Sequence, residues 1–563
     1  MIQSPLKLFS TKTPYHILLI LITLFFCKLV INGISEQGIL YYDAGSYLLD
    51  TKFLNNVTRP LTSFHFSDYR QPTFWEKAST SVSPRTPLDV GKPGFNFILW
   101  VASNFLGVQD DLSARVGAIF SILGLFLTFL ITTKLGFVQA GIYASTMLAS
   151  STFYLLYARS GYAEQVTMIF FLIGLFLYLK SLGSSSKFVN YLVGLSLGYA
   201  FTSNQFRVLY MPFLIIGVDF FTARRKQWGS GHFFHRLISI FIGFLTPLLI
   251  FQVVYIVAEW IMGPLPFRDY WSQLIDRWRF THGGLTWFQG FGEMALSFWT
   301  VEGPFFSTLA IMAWGFILVR FLRKQQFKDL LIISFSLVPF IYFSLMKWEG
   351  QAYPRTAVYT IPIVCIGIGE MIFGIQRFFN RKVGFLKKYE PTVAAMLIVI
   401  LLAQAFPRLI QGGITQSGYA QASNYLKSTG ENKFLILAME PIWWFYLGRN
   451  VVTPGSLSGE SYPQVAPKGL MGIIKRAKSD GIKYLLIDYA SLTSDVGGDV
   501  KVLLLGKQRP IARFSNPRGN SLPYLLDEYG LRTSRAIAQD PWSREIFVFD
   551  IRDIAATTQS VNL

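Results

Sequence analysis

The chain is short of the residues that build disulfide frameworks and metal centres. Its 563 residues include 2 cysteines and 5 histidines, and only 15% of them are charged. Cys27 and Cys365 both lie inside apolar runs, so we predict no disulfide framework. Cysteine and histidine do not cluster at the spacing of a zinc site. The sequence identifies no cofactor, and a divalent cation held by carboxylates is the one metal that stays open.

Apolar sequence takes the place of the missing charge. Hydrophobic residues make up 52% of the chain, and the mean hydropathy is +0.39. Apolar runs recur up to Phe406, and each is long enough to cross a hydrocarbon core about 30 Å thick. We predict eleven membrane crossings, at about 14–32, 112–133, 138–157, 163–180, 188–206, 208–223, 237–261, 298–319, 330–346, 357–376 and 391–407. Residues 1–410 are therefore expected to form a membrane domain and residues 411–563 a soluble one.

The positive charge of the chain is unevenly placed. The formal net charge of +19 is concentrated in alternate short loops, such as the one that contains Arg224, Arg225 and Lys226. Basic loops with almost no acidic residues are typical of the cytoplasmic side of a membrane, so the excess indicates topology and not a nucleic-acid partner. We expect a cytoplasmic N-terminus. An odd number of crossings then places the C-terminal domain outside.

Short patterns describe the parts between and after the spans. Residues 95–106 are apolar but too short to cross, so we interpret them as an interfacial helix in the first outside loop, 33–111. After the last span, short β-rich runs at 434–437, 484–488 and 546–549 alternate with helical stretches at 418–428 and 467–479. This order predicts a small α/β domain with a partly parallel sheet.

The polar residues with chemical potential gather on the predicted outer side. They are Asp43, Lys92, Arg159, Glu164, Arg207, Lys347, Tyr353 and Arg355. Ionised groups are costly at the bilayer centre and collect at helix ends that face a cavity. Simpler interpretations exist: Asp43 could cap a helix, Lys92 could contact lipid headgroups, and Glu164 could pair with Arg159.

Several of these residues lie in segments that resemble a known family. The segments are Tyr42-Asp43-Ala44-Gly45-Ser46-Tyr47, Gly91-Lys92-Pro93-Gly94, the turn from Tyr157 to Glu164, and Tyr353-Pro354-Arg355 with the residues up to Pro362. In order and membrane side they resemble the GT-C glycosyltransferases, especially the branch of the aminoarabinose transferase and the protein O-mannosyltransferases. The resemblance covers about residues 10–410 and implies a GT-C-like polytopic α-helical fold.

The resemblance also implies an activity. A sugar would move, with inversion, from a polyprenyl-phosphate donor to a lipid, glycan or protein acceptor on the extracytoplasmic face of a plasma membrane. Asp43 would accept a proton from the attacking hydroxyl or orient it. The family's acid-acid pair is Asp43-Ala44 here, so Glu164 becomes the candidate second carboxylate. The cations that would hold the donor phosphate are Lys92, Arg159, Arg207 and Arg355, with Lys347 and Tyr353 nearby.

Two other classes of protein compete with the enzyme. A transporter or flippase of a lipid-linked saccharide would need polar groups near the middle of its spans and, commonly, related halves. We find neither in the sequence. A non-catalytic assembly protein would depend on residues 420–563 and not on Asp43, Lys92 and Glu164.

Overall fold

The structure of the protein is a computed structural model. It describes residues 13–58, 71, 92–182, 186–204, 208, 210–226, 230–262, 269–272, 275, 287–344, 354–382, 389–413, 415–438, 440–457, 469–506 and 508–554. Most of these residues are helical. The fourteen helices described before residue 414 are α1 Thr13–Ile31, α2 Tyr42–Thr58, α3 Pro93–Leu106, α4 Leu112–Leu135, α5 Val138–Ala149, α6 Thr152–Ser160, α7 Glu164–Ser181, α8 Lys187–Asn204, α9 Tyr210–Lys226, α10 Ser230–Met262, α11 Trp287–Lys324, α12 Phe327–Ser344, α13 Ile361–Lys382 and α14 Glu390–Gly413.

Seven of the described helices are long and apolar enough to cross a membrane. They are Pro14–Glu36, Leu112–Leu135, Glu164–Ser181, Gly231–Trp260, Gln289–Lys324, Val358–Lys382 and Pro391–Gln411. The chain is thus a multi-pass membrane protein, while the count of eleven crossings stays a prediction. The last of these helices, α14, ends at Gly413, close to the predicted boundary at residue 410.

One predicted span is not a single helix. The segment 138–157 contains α5 and α6, which are separated at Ser150 and Ser151. The Ser151 side chain accepts a hydrogen bond from the Tyr154 backbone N–H and so caps α6. Glu302 of α11 accepts two more backbone N–H groups there, from Thr152 at 2.9 Å and Phe153 at 3.0 Å. Sequence hydropathy could not reveal this break, because a distant carboxylate stabilises the new helix start.

A buried ion network lies near the C-terminal end of α7. The Arg236 side chain contacts Asp219 at 3.1 Å and donates to the Ser181 carbonyl at 3.1 Å. The other Asp219 oxygen accepts from the Tyr178 hydroxyl at 2.7 Å. Each charge here is matched by an opposite charge or a hydrogen bond, as burial requires.

A second network joins three neighbouring helices. Arg320 of α11 contacts Asp329 of α12 at 2.5 Å and Glu370 of α13 at 3.1 Å. Lys328 reaches the same Glu370 oxygen at 2.8 Å. These contacts tie α11, α12 and α13 together.

The chain ends in a five-stranded sheet with helices. Its elements are α15 Tyr419–Ser428, β1 Phe434–Ile436, α16 Glu440–Leu447, β2 Val451–Val452, α17 Gly469–Ser479, β3 Tyr484–Ile487, α18 Gly497–Leu505, β4 Ala512–Ser515, α19 Leu522–Gln539 and β5 Glu545–Asp550. The strand order is β2-β1-β3-β5-β4. Strands β2, β1 and β3 are parallel, while β5 is antiparallel to both β3 and β4. The predicted α/β type with a partly parallel sheet is confirmed, and β2, β4, α16, α18 and α19 are additions to it.

Candidate active site

Two helix N-termini bring the candidate carboxylates together. Asp43 is the second residue of α2 and Glu164 is the first residue of α7, positions where the helix dipole favours negative charge. The turn before α7 contains Gly161 in the left-handed conformation, with φ +75°. A Cβ added to Gly161 would lie 3.2 Å from the Ala44 Cβ, so this turn packs directly on the start of α2.

Arg355 lies between the two carboxylates. It belongs to a 3₁₀ helix, Pro354–Thr360, that leads into α13. Its Nη1 donates to Asp43 Oδ2 at 2.9 Å, and its Nε lies 3.9 Å from Glu164 Oε1. The guanidinium also lies over the Tyr162 ring, 5.0 Å from the ring centre. Three of the predicted site residues, Asp43, Glu164 and Arg355, therefore meet at one point.

The two carboxylates differ in accessibility. The side chain of Asp43 is 29% exposed and that of Glu164 is 1% exposed. Glu164 accepts a hydrogen bond from Asn204 Nδ2 at 3.2 Å. Asn204 also donates to the hydroxyl of Tyr359, which lies in the same 3₁₀ helix as Arg355. Glu164 is thus fixed by a buried hydrogen bond, and Asp43 is the more accessible of the two carboxylates.

Lys92 precedes α3 and contacts α2 one helical turn after Asp43. Asp43, Tyr47 and Asp50 share one face of α2, since residues four and seven apart align on a helix. The Lys92 ammonium donates to the Tyr47 hydroxyl and lies 4.8 Å from the centre of that ring. Lys92 is buried, which argues against the headgroup contact considered from sequence. Its position is compatible with a cation that faces the site.

Asp50 is an acidic residue that the sequence analysis missed. It is buried on α2 and its Oδ2 accepts from Asn96 Nδ2 at 2.9 Å. Asn96 lies in the first turn of α3, just after Lys92. The spacing of Asp43 and Asp50 on one helical face was the available signal.

Arg159 has different partners from those predicted. Its Nη1 donates to the carbonyls of Leu29 at 3.2 Å, Val30 at 2.9 Å and Asn32 at 2.7 Å. These carbonyls surround the C-terminal end of α1, where backbone acceptors lack helical partners and a cation is favoured. Arg159 therefore caps the end of α1 and is not paired with Glu164, and its role as a phosphate ligand stays a prediction.

The other predicted phosphate ligands and the metal option remain predictions. Arg207, Lys347 and Tyr353 lie outside the described residues. Among the residues that the structure describes, His, Cys, Asp and Glu form no group of three or more suited to a metal ion. Asp43 and Glu164 share a guanidinium instead.

The comparisons with known proteins bear on the fold. No protein-family model and no curated protein sequence matches the chain. ArnT from Cupriavidus metallidurans, solved bound to undecaprenyl phosphate, is similar in structure with a TM-score of 0.55 at 10% identity, over 96% of this chain and 98% of ArnT. The chain has the GT-C fold. The oligosaccharyltransferase AglB from Archaeoglobus fulgidus, solved with an inhibitory peptide and a dolichol-phosphate, gives a TM-score of 0.54 at 11% identity, over 86% of this chain and 70% of AglB.

The GT-C fold confirms the architecture that the motifs implied. The agreement with ArnT extends over nearly the whole of both chains, so it includes the C-terminal α/β part as well as the helices. Structural similarity at 10% identity establishes a shared fold and leaves the chemistry to be argued from the site.

Proposed function

We propose that the protein transfers a sugar from a polyprenyl-phosphate donor to an acceptor hydroxyl on the extracytoplasmic face of a plasma membrane. The single observation that supports this most is Arg355 placed between an accessible Asp43 and a buried Glu164. This arrangement lies at helix ends in a GT-C fold, and ArnT and AglB were solved with polyprenyl phosphates. A lipid, a glycan or a protein could supply the acceptor hydroxyl.

Asp43 is the proposed general base. The acceptor oxygen attacks the anomeric carbon as its proton passes to the Asp43 carboxylate. The bond from the anomeric carbon to the phosphate oxygen breaks on the opposite face, and the electron pair leaves with the polyprenyl phosphate. Attack from the face opposite the leaving group inverts the anomeric centre. Asp43 suits this step because its carboxylate is reachable and already oriented by a hydrogen bond from Arg355.

Arg355 and Lys92 are the proposed phosphate ligands. Negative charge on the phosphate grows as the bond breaks, so preorganised cations lower the barrier. A bound phosphate would compete with Asp43 for Nη1 of Arg355 and leave the Asp43 carboxylate more basic. Glu164 would keep the guanidinium in position during this exchange, because its partner Asn204 is buried and also donates to the buried Tyr359. We retain Arg207, Lys347 and Tyr353 as further candidates.

The proposed orientation has a cytoplasmic N-terminus and an extracytoplasmic C-terminal part. It is supported by the basic residues at one end of the helical bundle, including Arg320, Arg323 and Lys324 at the end of α11. Asp43 and Glu164 lie at the opposite end of the bundle, since α7 runs from Glu164 to Tyr178, and the Tyr178 ring contacts that of Phe327, which follows the basic end of α11.

Release of polyprenyl phosphate tests the function directly. The purified protein is incubated with a polyprenyl-phosphate sugar and a cell-envelope extract as the acceptor source. We expect Asp43→Asn to lower the release rate by roughly 10²-fold or more, the range for loss of a general base. Asp480→Asn is the matched control, because Asp480 pairs with Arg476 at 3.5 Å on the surface of the C-terminal part. Full turnover of Asp43→Asn would remove Asp43 as the base, and flipping without bond cleavage in vesicles would favour the flippase.

A further inference from the structure

The C-terminal part of the chain contacts the residue next to Asp43. Glu528 of α19 accepts from the backbone N–H of Tyr42 at 3.0 Å through Oε1. Its other oxygen accepts from the Tyr489 hydroxyl at 3.1 Å and contacts Arg518 Nη2 at 2.8 Å. One carboxylate thus joins the first residue of α2 to two side chains that belong to the C-terminal domain.

A series of stacked aromatic rings with a cation near each end continues from Arg518 to the site. The Arg518 guanidinium lies 4.7 Å from the Tyr489 ring centre and 5.0 Å from that of Tyr41. The Tyr41 and Tyr162 ring centres are 4.3 Å apart, and Arg355 lies over Tyr162 at 5.0 Å. We call these five residues the cation–aromatic ladder. It begins in the C-terminal domain and ends on the arginine that contacts both carboxylates.

All the ladder residues except Arg355 are buried. Tyr41 and Tyr489 have 0% of their surface exposed and Tyr162 has 1%. The Arg518 side chain is 0% exposed. Burial acts to lower the pKa of Arg518, but Glu528 and the neighbouring tyrosines outweigh it and raise that pKa above its ordinary value. Arg518 therefore stays charged, and buried cation–π contacts are stronger than exposed ones.

Further contacts hold α2 along its length. A Cβ added to Gly45 would lie 2.9 Å from the Ile442 backbone nitrogen, so α2 and α16 approach as closely as a glycine allows. Lys52 donates to the Phe445 carbonyl at 2.7 Å and lies 3.7 Å from that ring centre. The C-terminal domain thus meets α2 at its start and again two turns later.

We propose that the C-terminal domain is part of the catalytic apparatus, with Arg518 and Glu528 as positioning residues that act on Asp43 and Arg355 through Tyr41 and Tyr162. The inference rests on the proposed function. Displacement of reacting groups by about 1 Å can cost roughly 10²-fold in rate, so a contact with Tyr42, the neighbour of Asp43, is close enough to control turnover. Arg518 reaches Arg355 indirectly, through the rings of Tyr41 and Tyr162.

Two substitutions with matched partners test the proposal in the full-length protein. We expect Arg518→Met and Tyr41→Leu each to lower kcat by about ten-fold or more, with the donor KM within about two-fold. Tyr41→Phe retains the ring and should keep most of the wild-type kcat. Arg513→Met is the control, because Arg513 has the same kinds of contact in the same domain, with Glu545 at 3.9 Å and the Phe547 ring at 5.6 Å. Wild-type kcat in both Arg518→Met and Tyr41→Leu would overturn the proposal.

Hydrogen exchange gives a second readout that does not depend on turnover. Glu528→Ala removes the acceptor of the Tyr42 N–H, so exchange in a peptide that covers residues 40–48 should be faster, while Arg513→Met should leave it unchanged. If exchange is faster in Glu528→Ala but the wild-type protein shows no sugar transfer, the positioning contact is retained and the proposed function is rejected. Normal transfer with unchanged exchange in Glu528→Ala would reject the positioning and retain the function. If Arg518→Met fails to fold, the comparison of kcat between Tyr41→Leu and Tyr41→Phe decides the proposal.

Discussion

The two ends of α7 carry buried charges that are arranged in opposite ways. Glu164 begins the helix and Tyr178 lies in its last turn, so the two clusters are about 21 Å apart along it. At the Tyr178 end, Arg236 and Asp219 are fully buried and make short contacts with each other and with Ser181. At the Glu164 end, one guanidinium is divided between carboxylates at 2.9 and 3.9 Å.

The difference indicates which cluster supports the fold and which serves the chemistry. A buried ion pair with complete hydrogen bonding has no reason to release its partner, because separation would leave an uncompensated charge. Arg355 and Asp43 are 18% and 29% exposed, so an incoming anion can compete for the arginine. We therefore expect charge removal to lower stability at the first end and activity at the second.

The largest expected effect is on stability, in Arg236→Met. Without the guanidinium, Asp219 is left as a buried charge, which costs about 3–5 kcal/mol. We expect a clearly lower unfolding temperature in detergent, with turnover per folded molecule close to wild type. The double variant Arg236→Met/Asp219→Leu should recover most of the lost stability. A fall in turnover per folded molecule as large as that of Asp43→Asn would contradict the division between the two ends.

Lys92→Met should have a smaller effect, which falls on donor binding and not on stability. Removal of a cation from the proposed phosphate site should raise the donor KM by about ten-fold, equivalent to about 1.4 kcal/mol of binding free energy, while the unfolding temperature stays unchanged. Kinetics at several donor concentrations measure this. Lys134→Met, which removes an exposed lysine in the last turn of α4, is the matched control. An unchanged KM would place Lys92 outside the donor site.

The smallest effect concerns Lys52, a cation near the site but outside it. Burial, with a contribution from Lys427 and opposed by Asp110, lowers the pKa of Lys52 to about 8 from 10.5. Between these values the unfolded chain holds a proton that the folded chain has released, so stability rises with pH. The difference in unfolding temperature between wild type and Lys52→Met should therefore increase in favour of wild type from about pH 7.5 to about pH 9.5. A constant difference would mean that Lys52 keeps its ordinary pKa.

The sequence predicted the helical membrane architecture, and three of the residues that it singled out lie together in the candidate site. Long apolar runs indicate spans regardless of tertiary contacts, and the motif resemblance singled out Asp43, Glu164 and Arg355 together. The contacts of Arg159 could not be predicted, because its partners are backbone carbonyls around the end of α1. Carbonyl groups leave no mark in a residue pattern.

The C-terminal domain was predicted less completely. Strand β4, with the sequence ARFS, alternates between partly buried and exposed positions and has no apolar run. Strand β2 has only two residues and depends on β1 for its existence. The contact of Glu528 with Tyr42 joins residues that are far apart in the chain, and no local pattern in either segment announces it.

That contact limits how the protein can be recombined. A chimera that took residues 415–554 from a protein of similar fold would lose the matched surfaces at Tyr41, Tyr42, Arg518 and Glu528, even if both halves folded. The segment around Tyr42 should be transplanted together with the domain that holds it. For the same reason these four positions should covary among homologues, as residues in contact across an interface do.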